Sequence, residues 1–75
     1  MAKTAKEWTR DEYIAMQTAN VMREEPGITE AAAAKVADLQ YRTGFAHRGL
    51  PNPATGEVED LRVIIAEMQA TREAR

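Results

Sequence analysis

Three prolines, at 26, 51 and 53, interrupt a chain that otherwise favours helix throughout. Proline fixes its own φ, lacks an N–H, and pushes the preceding residue out of the helical region. Pro26-Gly27 therefore ends one helix near Glu25, and Pro51 and Pro53 forbid a helix through the segment around them. The sequence predicts an all-α fold: a small three-helix bundle made of a helical hairpin plus a C-terminal helix. Helices are expected over about 9–25, 29–43 and 56–73 of a single 1–75 domain, with a long ordered loop before the third.

The helix ends carry local signals. Thr9 and Glu12 have the spacing of a capping box, and Trp8 and Tyr13 that of a hydrophobic staple. Ile14, Thr18, Val21 and Met22 share one face of this first helix, and Met16 points away from it. Thr29 caps the second helix, and Glu30 sets a negative charge at the positive end of its dipole. Ala32, Ala33, Val36 and Leu39 form its thin inner face, with Asp38 and Arg42 paired one turn apart on the outer side. Gly44 reads as the left-handed residue that stops this helix, with Phe45 folding back over the last turn. In the third helix Glu57, Glu59 and Asp60 crowd the first turn, and Arg72 and Arg75 the last. Val58, Leu61, Ile64, Ile65 and Met68 make a wide apolar stripe, and Val63 lies off it.

The connector FAHRGLPNPATG is long for a helix–helix connection. Phe45 and Leu50 are expected to anchor it inward, leaving His47 and Arg48 exposed on its rim.

A chain of 75 residues buries only about 60% of its unfolded surface, and small scaffolds usually need a further staple. With no Cys and a single His, disulfides and a one-chain Cys/His zinc site are excluded, so partner chains remain. The net charge of −2 argues against a broad nucleic-acid or anionic-membrane footprint. No apolar run approaches a membrane span, and MAKTAKEW lacks the apolar core of a signal peptide. A soluble cytoplasmic protein without metal or cofactor is expected.

Catalysis has little to work with. Ser and Cys are absent, His47 has no evident orienting partner, and the carboxylates around Glu57 open a helix, where negative charge is ordinary. The stretch VADLQYRTGFAHRGL has the rhythm of a DNA-binding regulator of helix-turn-helix or excisionase-like type. Its turn would fall at Gly44-Phe45, a second helix would start at Ala46, and Arg42, His47 and Arg48 would face DNA. Pro51 and Pro53 shorten that second helix to about one turn. The leading expectation is instead a non-catalytic protein-interaction module, an adaptor, inhibitor or assembly subunit of phage type, that binds a larger protein or its own copies. Its expected contact residues are Trp8, Tyr13, Met16, Tyr41, His47, Arg48, Val63 and Ile64. For Trp8 and Tyr13 the staple is the simpler role, and for most of the third-helix stripe the core is.

Overall fold

A computed structural model describes residues 9–73. In it, helices α1 (Arg10–Glu24), α2 (Glu30–His47) and α3 (Leu61–Glu73) form a small all-α bundle. The capping box at the start of α1 is complete: the Thr9 hydroxyl accepts from the Glu12 amide, and the Glu12 carboxylate accepts from the Thr9 amide. The α1 chain leaves its helix at Glu25, and Gly27 turns it at a φ of +94°, a conformation that glycine adopts without steric cost. Thr29 then caps α2 by accepting from the Ala32 amide at 3.1 Å. Trp8 and Arg75, and with them half of the expected staple and one of the terminal cations, lie outside the described residues.

The bundle is centred on α2, which packs against α1 on one side and α3 on the other. The thin alanine face makes this arrangement feasible, because small side chains let a neighbouring backbone approach closely. Ala33, Val36, Ala37 and Leu39 are all fully buried, so the buried arc of α2 extends to Ala37, beyond the face read from periodicity. Val21, Ile28, Ala33 and Val36 form the central cluster, with Ala32 and Met68 packed on it. Met22, expected on the same face as Val21, is 40% exposed. Thr18, Thr43 and Thr71 each donate to the carbonyl four residues back, which lets a hydroxyl sit in a partly buried helix face.

Two helix ends differ from expectation. α2 does not stop at Gly44 but continues to His47, and the left-handed residue is Gly49, at φ +69°. The Leu50 amide reaches the Phe45 carbonyl (2.9 Å) and the Gly49 amide reaches Ala46 (3.1 Å), the two bonds of a Schellman ending. α3 begins at Leu61 rather than near 56, with the Asp60 carboxylate accepting from the Arg62 amide to cap it. Glu57, Val58 and Glu59 therefore precede the helix.

The connector over 48–60 is ordered by Asn52, which is buried. Its side chain accepts from the Ala54 amide and donates to Glu59, while its backbone bonds to Glu57, Thr55 and Gly56. Pro51 and Val58 pair as an isolated antiparallel bridge. Leu50, expected to plug the bundle, is 43% exposed; Asn52 is the inward anchor instead.

The phase of α3 also differs. Ile64 is fully buried and Ile65 is 44% exposed, the reverse of the expected assignment. The buried line of α3 includes Thr71, a polar residue, so apolar periodicity alone did not locate it.

Candidate functional site

Near the start of α1 and the end of α2 lies a groove of about 340 Å³. Tyr13 and Met16 supply the α1 side. Gln40, Tyr41, Phe45 and Arg48 supply the α2 side, at positions that recur along one face of the helix. Gly44 lies between them, and a Cβ built there meets nothing within 4 Å.

The rings form a continuous line. Tyr13 and Tyr41 sit with centroids 5.4 Å apart, tilted by 51°, and Tyr41 meets Phe45 edge-on at 5.1 Å. Such pairs contribute about 0.5–1.5 kcal/mol each beyond the area they bury. Burial pushes the Tyr13 phenol above its ordinary value, so it remains a neutral hydroxyl. Arg48 ends the line, its guanidinium carbon 5.7 Å from the Phe45 centroid and its Nε donating to the Gly44 carbonyl at 2.9 Å. No carboxylate among the described residues pairs with it. By contrast, Arg10 meets Asp38, Arg42 meets Glu59, and Arg72 meets Glu25.

Of the residues singled out from sequence, Tyr13, Met16, Tyr41 and Arg48 come together here. His47 is exposed in the last turn of α2 but does not line the groove. Val63 is 54% exposed on α3, and Ile64 belongs to the core, which removes it from any contact surface. Sequence reading missed Gln40, Gly44 and Phe45 as lining residues. The i,i+4 spacing of Tyr41 and Phe45 was a usable signal, hidden by taking Gly44 as a helix end.

The helix-turn-helix rhythm lacks its turn, because α2 runs straight through Gly44-Phe45, and no second helix starts at Ala46. Arg42, expected to face phosphate, instead holds the connector. Its Nε and Nη2 contact Glu59 at 3.0 and 2.5 Å, and its Nη1 lies 3.7 Å from Asp38 and 3.9 Å from Glu67. The Arg42 hydrogen bond, with help from Asn52, holds the Glu59 carboxyl below its ordinary range.

A second depression of about 430 Å³ lies between α2 and α3, walled by alanines with Lys35 and Glu67. It is larger but contains no aromatic anchor. Among the described residues no group of three or more His, Cys, Asp or Glu side chains could hold a metal ion, and no helix is long and apolar enough to cross a membrane. No protein-family model matches the chain, and no curated protein or solved structure matches it.

Proposed function

We propose that this chain is a small non-catalytic protein-interaction module, an adaptor, inhibitor or assembly subunit, whose contact surface is the α1–α2 groove. One observation carries the reading. Three of the four aromatic residues line this groove, whereas among the described residues the fully buried apolar core contains none and is built from Val, Leu, Ile and Ala. A marginal small domain gains most by placing large rings in its core, so rings set in a surface groove suggest a second use. Tyr and Arg are also residue types enriched at the centres of protein contacts. The absence of cysteine suits a reducing compartment such as the cytoplasm.

The test is photo-crosslinking with benzoylphenylalanine in place of Met16, in a lysate of the producing cell. A discrete adduct, with a second copy or with another protein, is expected, and Tyr41→Ala should abolish it without unfolding the chain. Absence of any adduct, together with a monomer at all concentrations by light scattering, would sink the proposal.

A further inference from the structure

The groove needs an occupant with an apolar anchor beside a carboxylate that can meet Arg48, and the chain itself displays such a segment. Val58, at 62% exposure, is the most exposed large apolar residue among those described. Next to it Glu57 is exposed, and its carboxylate pairs with no cation among the described residues. The backbone holds this pair in place: the Asn52 amide donates to the Glu57 carbonyl at 2.9 Å, and Val58 bridges to Pro51. Glu57-Val58 is thus an acidic-apolar ridge whose backbone is held by a hydrogen bond and a bridge, which lowers the ordering entropy lost on docking it.

We propose that the occupant of the groove is the Glu57-Val58 ridge of a second copy of this chain, with Glu57 of each copy against Arg48 of the other. The proposal rests on the groove being a contact surface and names what fills it. Ridge and groove lie at the same end of α2, since the carbonyl of Phe45, a groove residue, holds Leu50 one residue before Pro51. Two adjacent complementary features let both contacts form at once about a two-fold axis, giving a closed dimer rather than an open chain. The contact would cover Val58, Tyr41 and Phe45 together and neutralise two charges of opposite sign per copy that have no ion-pair partner among the described residues.

Charge reversal tests this directly on the full chain, with mass read by light scattering and dissociation by sedimentation. Wild type is expected at twice 8.3 kDa at micromolar concentration. Arg48→Glu and Glu57→Arg should each weaken the dimer by about tenfold or more, since each sets like charges together at both contacts. Both residues are exposed, and retained helical content with a single cooperative melt of the dilute variants serves as the folding control. Mixing the two single variants should restore the dimer. At one contact of the mixed dimer both charges are reversed, at the other both are native, and each contact joins opposite signs. Rescue by the double variant but not by the mixture would mean the pairing is within one chain and would overturn the proposal. A dimer indifferent to both reversals would place the interface elsewhere and overturn it too. A monomeric wild type whose Met16 position crosslinks to a different protein would overturn the second-copy occupant while leaving the interaction module standing.

Discussion

Asn52 shows how much of the connector depends on one side chain. Its Oδ1 closes the turn onto the Ala54 amide at 2.9 Å, and its Nδ2 donates to Glu59 at 3.0 Å. Both bonds are made by a buried residue, so truncation leaves Glu59 short of a donor and the turn short of an acceptor. Asn52→Ala is expected to destabilise the fold by about 1–3 kcal/mol, seen as a lower denaturant midpoint at unchanged slope. Asn52→Asp keeps the turn acceptor but sets a second carboxylate against Glu59. It should therefore match or exceed the alanine variant at neutral pH and recover as the medium is acidified. If both variants melted like wild type, the connector would not depend on Asn52.

At the scale of elements, the informative feature is where α2 stops. Gly44-Phe45 and Gly49-Leu50 present the same local signature, a glycine followed by a large apolar residue, and sequence reading chose the first. A glycine inside a helix costs about 1 kcal/mol relative to alanine. Continuation past it brings Phe45 under Tyr41, half-buries Ala46, and places Arg48 over the Phe45 ring. Those gains depend on packing that a local window does not contain. The start of α3 was misplaced for a similar reason, because Glu59 is held by Arg42 from 17 positions away. The N-terminal caps of α1 and α2 were legible because their partners lie three residues apart. Met16 was legible as a surface residue because it falls off the core face of α1, and Tyr13 as a contact candidate through its residue type alone, whereas Ile64 and Ile65 were exchanged within a stripe too wide to fix its own phase. The two glycines give a test with opposite signs. Gly44→Ala, helical and with open space around the added carbon, should stabilise by about 0.5–1 kcal/mol. Gly49→Ala, at φ +69°, should destabilise by about 1 kcal/mol despite equally open space. Reversed signs in thermal melts would return the helix end to Gly44.

Across the whole molecule, a chain of charges links the three helices and the connector alongside the thin apolar core. Arg10 of α1 contacts Asp38 at 2.7 Å, Asp38 neighbours Arg42 on α2, and Arg42 reaches both Glu59 of the connector and Glu67 of α3. A second link, Arg72 to Glu25 at 3.0 Å, ties the end of α3 to the end of α1. Exposed ion pairs are worth little, but the Arg42 and Glu59 side chains are each only 21% exposed and joined by several hydrogen bonds. Since Arg42 holds the folded Glu59 carboxyl below its ordinary value of 4.5, the unfolded chain takes up its proton first as pH falls. The contribution of Glu59 is thus complete above that value and is lost progressively below it. Glu59→Gln should cost about 1–2 kcal/mol at neutral pH, with the gap to wild type narrowing as pH drops below 4.5. Asp60, whose carboxyl is also held low, by hydrogen bonds from Arg62, titrates in the same acidic range, but it is present in both proteins and cancels in the difference. Melting both proteins across that range checks the assignment. A gap that stays constant with pH would mean that Glu59 contributes through its shape and hydrogen bonds rather than through its charge, and that Arg42 is not what holds the connector to α2.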